Sequence, residues 1–107
     1  MHLMLSPENT TQKLPWDRAV RYCEKLTVDG HTGWRLPNRK ELIFFAKHHP
    51  EKLVPDAHWT GTERWIDSPG ADFVDINNYE LYQSCWKETS LLVRAVRQCE
   101  CTNHLGH

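Results

Sequence analysis

Between Trp16 and Leu26 the apolar residues Trp16, Ala19, Val20, Cys23 and Leu26 recur at steps of three and four, with Asp17, Arg18, Arg21, Glu24 and Lys25 between them. That spacing predicts one face of an amphipathic helix. Pro15 suits its first turn, and Asp29-Gly30 is expected to end it. His31 to Pro37 then reads as an extended connector, because the residue before a proline is pushed out of the helical region. Asn38, with Glu41 three residues on, has the form of a capping box. Leu42, Ile43, Phe44, Phe45 and Ala46 continue it as a short, largely buried second helix that His48-His49-Pro50 closes.

Beyond that point the pattern changes. Trp59-Thr60-Gly61-Thr62, Asp72-Phe73-Val74-Asp75-Ile76 and the run from Leu91 to Arg97 are short and rich in β-formers, with turns at Asp67-Ser68-Pro69-Gly70 and Asn77-Asn78. Leu3-Met4-Leu5, stopped by Ser6-Pro7-Glu8-Asn9, reads as an edge strand before a turn. Strand, helix, helix and then strands is the order of an α+β domain. No repeat, low-complexity tract or flexible linker interrupts it, so residues 1–98 are expected to form one unit with 99–107 as a C-terminal tail.

Thirteen Lys and Arg stand against fourteen Asp and Glu among 107 residues, a formal charge of -1 with no block of one sign. That balance argues against nonspecific binding to nucleic acid or anionic membranes. No apolar stretch is long enough to span a bilayer and the opening MHLMLSPENTT has no leader pattern, so a cytoplasmic protein is expected. In a reducing compartment Cys23, Cys85, Cys99 and Cys101 are expected as thiols. In an oxidising one Cys23 could bridge to Cys85 or to the C-terminal pair, and sequence does not choose between them.

One ordered string goes beyond generic helix text: Trp16-x-x-Ala19-x-x-Tyr22-Cys23-x-x-Leu26, then Gly30-x-x-Gly33-Trp34-Arg35-Leu36-Pro37-Asn38-x-x-Glu41-Leu42. With His58-Trp59-Thr60-Gly61-Thr62 and the closing Val93-Arg94-Ala95-Val96-Arg97, it resembles the DUF1566 family, also called the Lcl C-terminal domain. Nearly the whole chain is covered, and Leu3-Met4-Leu5 is similar to the family's opening strand. The resemblance implies a C-type-lectin-like fold, two helices flanking a small, mostly antiparallel sheet with the first and last strands paired. It implies structural roles for Trp16, Trp34, Arg35, Leu36, Pro37, Glu41, Trp59 and Arg94. Two departures matter: position 95 is Ala where the family often has a Cys able to face the first helix, and the Glu-Pro-Asn, Gln-Pro-Asp and Trp-Asn-Asp strings of calcium-dependent sugar binders are missing.

Among individual residues, Arg35 is expected to be a buried structural arginine with Glu41 as its near partner. Cys99, Cys101, His104 and His107 gather zinc-type donors in the tail, but at spacings tighter than zinc sites usually show, so no cofactor is expected and zinc is the alternative. His48, His49 and His58 read as surface histidines. Ser84 and Ser90 lack the context of a nucleophile, and Asp67, Asp72, Asp75 and Glu80 read as solvated loop acids, with Asp72 and Asp75 on opposite strand faces. No catalytic residue is assigned and no enzyme is expected.

Trp59 and Phe73 read as core. Arg64, Trp65, Tyr79, Tyr82 and Trp86 lie in or beside loops and are the candidate anchors of a recognition surface, a composition typical of interface hot spots. In C-type-lectin-like folds this long-loop region usually forms the ligand surface. The expectation is therefore a non-enzymatic binding module that presents residues 61–88 to a macromolecular partner, a protein foremost. A bare domain opening on its own Met, in a family found in bacteria and phages, suggests a phage or prophage product that inhibits a host factor. The alternatives are a glycan or cell-surface binder using the same aromatic loops, and a metal- or thiol-dependent enzyme using the tail.

Overall fold

The computed structural model describes residues 2–99. Seven strands and two α-helices form an α+β domain: β1 (Leu3–Leu5), β2 (Gln12–Leu14), α1 (Trp16–Lys25), α2 (Arg39–His48), β3 (Ala57–Glu63), β4 (Gly70–Asp75), β5 (Gln83–Trp86), β6 (Leu91–Val93) and β7 (Val96–Gln98). β2-β6-β3-β4-β5 make one sheet, antiparallel except for the β3–β6 pair, and β1 pairs antiparallel with β7 in a second. No helix among the described residues is long and apolar enough to cross a membrane.

The larger sheet is buried on both faces, which strand alternation makes possible. One face, with Trp59, Ala71 and Val93, meets Trp16, Ala19 and Cys23 of α1 together with Trp34 and Leu36. Val74, two strand positions from Asp72, joins Leu42, Phe45 and Ala46 of α2 with Leu53, Ile76 and Val96 in the second cluster. The indoles are satisfied as well as buried: Trp16 Nε1 donates to the Thr60 carbonyl at 2.9 Å and Trp59 Nε1 to that of Leu14 at 2.8 Å. Trp34 Nε1 donates to the His31 carbonyl at 3.0 Å.

The connector carrying Trp34-Arg35-Leu36-Pro37 lies against the smaller sheet. Arg35 and Val96 exchange both backbone hydrogen bonds at 2.9 Å, so the connector adds a bridge beside β7. The capping box forms as expected: Asn38 Oδ1 accepts from Glu41 N–H at 2.8 Å and a Glu41 carboxylate oxygen accepts from Asn38 N–H at 2.9 Å. The Glu41 carboxylate also receives both arms of the Arg35 guanidinium at 2.8 Å. Burial pushes the Glu41 carboxyl up, but these donors outweigh it and hold the group below its ordinary value.

Several expectations are corrected. α1 ends at Lys25, because Leu26 turns extended and packs against the core; Asp29 and Gly30, at φ 50° and 81°, form a tight turn between Val28 and His31 instead of capping the helix. The run from Leu91 to Arg97 divides into β6 and β7, which belong to different sheets. Arg35 is not buried: its side chain is 45% exposed, although its partner is Glu41 as expected. The buried arginine is Arg94, whose Nε donates to the Ser6 carbonyl and Nη1 to the Lys52 carbonyl, both at 2.7 Å. Asp72 is a buried residue of β4 and not a loop acid, and His58 is buried rather than at the surface. The strands β2 and β5 were not expected; each is too short to carry a periodic signal of its own.

His58 Nδ1–H donates to the Asp56 carbonyl at 2.9 Å, and its Nε2 has no hydrogen-bond partner. Burial pushes the imidazole below its ordinary value and the Arg94 charge adds to this, against the opposing influence of Asp56 and Asp75. The unfolded chain therefore takes up this proton more readily than the folded one. The contribution to stability is complete above the ordinary histidine range, near pH 6.5, and is lost as the pH falls below it. Urea unfolding of the parent between about pH 7 and 5 is expected to show falling stability, with a flatter slope in His58→Gln. Independently, Arg94→Met is expected to lower the unfolding free energy by about 3 kcal/mol, since it strips the donors from two carbonyls. Arg94→Lys should recover little, because one ammonium does not reproduce the guanidinium fork.

Candidate functional site

β5 is the outer strand on one edge of the larger sheet, and its residues alternate between faces. Its register with β4 pairs Cys85 with Ala71, and both pack on the α1 side. Ser84 and Trp86 pair with Asp72 and Gly70 and therefore stand on the opposite face, the one that α2 covers only in part. Trp86 is 63% exposed there.

The loop from Arg64 to Pro69 returns over this edge. Arg64 N–H donates to the Gly70 carbonyl at 3.0 Å, Ser68 N–H to that of Trp65 at 2.9 Å, and Lys87 N–H to that of Pro69 at 2.9 Å. Ser68 Oγ accepts from Gly70 N–H at 2.9 Å. Asp67 takes the left-handed conformation, φ 61°, one of the residue types that tolerate it. Gly70 is needed for a different reason: a Cβ would stand 3.2 Å from the Cys85 carbonyl, so a side chain would force the loop away from β5. These contacts hold out Trp65, 57% exposed, and Ile66, 85% exposed.

Arg64, Trp65, Trp86 and Ser84 line a groove of about 260 Å³ on this edge. The Arg64 guanidinium lies 5.7 Å from the Trp65 ring and donates to Ser84 Oγ at 3.1 Å. Just before β5, Tyr82 directs its hydroxyl to Asp72 Oδ2 at 2.8 Å, while the Arg39 guanidinium, from the first residue of α2, sits 5.6 Å over its ring. The bond to Asp72 pushes the Tyr82 phenol above its ordinary value, with Arg64 and Arg39 pulling the other way. Asp72 Oδ1 is buried and has no hydrogen-bond partner. The result is an exposed aromatic ring tied at its polar end to a buried carboxylate.

Of the five candidate anchors, the groove thus brings together Arg64, Trp65 and Trp86, and Tyr82 immediately precedes the strand that carries Trp86. Tyr79 does not join them; it is half-buried and packs against the α2 cluster. Sequence reading missed Ile66, Leu81, Asp72 and Arg39. Ile66 had a usable signal, an apolar residue beside a turn-forming string, whereas Arg39 and Asp72 reach Tyr82 only through the tertiary fold. The family-motif residues Trp16, Trp34, Leu36, Pro37, Glu41, Trp59 and Arg94 are buried and build the scaffold.

In the tail, Cys99 is half-buried and its N–H donates to the His2 carbonyl at 2.8 Å. Cys101, His104 and His107 lie outside the described residues. Among the described residues no three His, Cys, Asp or Glu side chains are grouped as metal ligands.

The geometry defines a small α+β domain whose two buried helix–sheet cores support an aromatic edge. The family profile of the Lcl C-terminal domain matches residues 3–97, and the chain belongs to that DUF1566-type family. No curated protein matches the chain.

Two thiols report on the packing beneath the groove. Burial pushes Cys23 up to about 12, with Glu24 adding to it, whereas Cys85 is raised by burial against an opposing contact from Thr89. Iodoacetamide labelling read by peptide mass spectrometry is expected to modify Cys85 well before Cys23, which should react only on unfolding. Equal rates would contradict the packing of α1.

Proposed function

We propose that this domain is a binding module that docks a protein partner on the β5 edge, through Trp65, Ile66, Leu81, Tyr82 and Trp86. One observation carries this reading: of six exposed large hydrophobic side chains among the described residues, these five fall between positions 65 and 86, and only Val54 lies elsewhere. Scattered apolar residues need no explanation, but a group rimmed by Arg64, Arg39 and Glu80 has the composition of an interface centre with a polar border.

Preorganisation supports the same reading. Ring and loop are held by backbone and side-chain hydrogen bonds in the free protein, so less side-chain freedom is lost on docking. The mode of action we infer is occlusion, a rigid patch covering a surface that the partner needs. A phage or prophage product blocking a host factor is the setting we infer for it, on family resemblance alone. The C-type-lectin-like reading of the fold is supported by the β1–β7 pairing and by one helix on each face of the larger sheet.

Capture from native-host lysate with tagged parent protein, Trp65→Ala and Trp86→Ala tests the reading. One stoichiometric protein is expected with the parent, and each variant should weaken its affinity about tenfold or more. Melting temperatures should change little, because both side chains are largely exposed. Loss of folding together with binding, or retention of a glycan in place of a protein, would refute it.

A further inference from the structure

A second surface lies on the opposite edge of the sheet. β2 is the outer strand there, and between it and α1 runs an open groove of about 650 Å³. Leu14, Tyr22 and Leu26 are half-buried against the core and give it an apolar base, with Tyr22 fixed by a 2.7 Å bond from its hydroxyl to the Thr10 carbonyl. Arg18, Arg21 and Lys25 are exposed along its other side, and no carboxylate lines it.

The cations of α1 gather on the side that faces the groove. Arg18, Arg21 and Lys25 follow one another at steps of three and four, so they stack on one flank, where like charges repel. Arg18 also stands in the first turn, where the helix dipole disfavours a cation. Asp17 and Glu24 stand four residues before and three residues after Arg21 and offset its charge in part, but neither lines the groove. No ion pair joins Arg18, Arg21 or Lys25 to a carboxylate among the described residues. In a chain of net charge -1, this row is a local excess of positive charge facing a groove with an apolar base.

We propose that this groove binds an extended acidic segment of a partner protein, in which Asp or Glu alternates with apolar residues. Arg18 to Lys25 spans about 10 Å along the helix, the reach of roughly four extended residues. Alternation then turns carboxylates to the cations and apolar side chains to Leu14, Tyr22 and Leu26. The apolar base favours a peptide over a polyanion, which would use the charges alone. β2 and β5 are opposite edges of the sheet, so this site is independent of the aromatic face.

Fluorescence anisotropy with a fluorescein-labelled peptide, Glu-Leu-Asp-Phe-Glu-Leu-Asp, tests the proposal on the full chain. Saturable binding is expected, weakened about tenfold or more by the double variant Arg18→Glu/Arg21→Glu and unchanged by Trp65→Ala. A probe with Ser at every apolar position should also bind about tenfold more weakly. Melting curves check that the charge variant is folded, and Lys25→Glu replaces it if it is not. Absence of saturable binding, indifference to both charge variants, or equal binding of the serine probe and of dextran sulfate would each overturn the proposal.

Discussion

The fold depends on a clasp built around Arg94, which joins three distant parts of the chain. Ser6 and Ala95 are held by reciprocal bonds, Ser6 N–H to the Ala95 carbonyl at 2.9 Å and Ala95 N–H to Ser6 Oγ at 3.1 Å. Arg94 then binds the Ser6 carbonyl with one donor and the Lys52 carbonyl, in the 3-10 turn after α2, with another. A guanidinium so deeply buried is costly to desolvate, and burial pushes its ionisation below the ordinary arginine value. It is tolerated because it meets oriented carbonyls, and breaking that arrangement would leave both carbonyls and charge unsatisfied. The clasp also explains why the last apolar run divides: the chain must leave the larger sheet at Val93 to deliver Arg94 inward, and it resumes at Val96 beside β1 and Arg35.

From that division the rest follows. β6 completes the larger sheet between β2 and β3, and β7 gives α2 and the connector a second small sheet to rest on. Since α1 and α2 pack on opposite faces, each can cover only part of a five-stranded sheet, and the edge strands β2 and β5 are left with partly open flanks. The two candidate surfaces lie at these flanks. Their different chemistry comes from what borders each one, a cationic helix side at β2 and a hydrogen-bonded loop of aromatic residues at β5.

How legible this was in the sequence varied with the range of the interaction. The α2 capping box, the core roles of Trp16 and Trp59, and the exposure of Trp65 and Trp86 follow from spacing or local composition, and the structure bears them out. The exchange of roles between Arg35 and Arg94 was not readable. Both sit in apolar surroundings in the sequence, and Glu41 was legible as the partner of Arg35, but only the fold shows that Arg35 stays partly exposed while Arg94 points to backbone carbonyls 42 and 88 residues away. Asp72 was misread for the same reason, since it lies inside β4 and meets Tyr82, ten residues on, only in the fold. Tyr79, close to β5 in sequence, turns inward because the 3-10 turn at Ile76–Asn78 carries it towards α2.

The proposed docking rests on exposed sheet edges. An outer strand with apolar side chains invites pairing with other chains, and folded proteins usually limit that risk with charge, brevity or cover. β5 has some of each: it is four residues long, Arg39 and Arg64 lie near the rings of Tyr82 and Trp65, and the loop from Arg64 to Pro69 is bonded to its end. These devices restrain strand addition without hiding the rings. Replacing Ile66 or Leu81 by a polar residue would remove apolar exposure at no expense to the buried core, to which neither belongs. Apolar groups that the fold does not use, held outside a core that is complete without them, are what the proposed partner would cover.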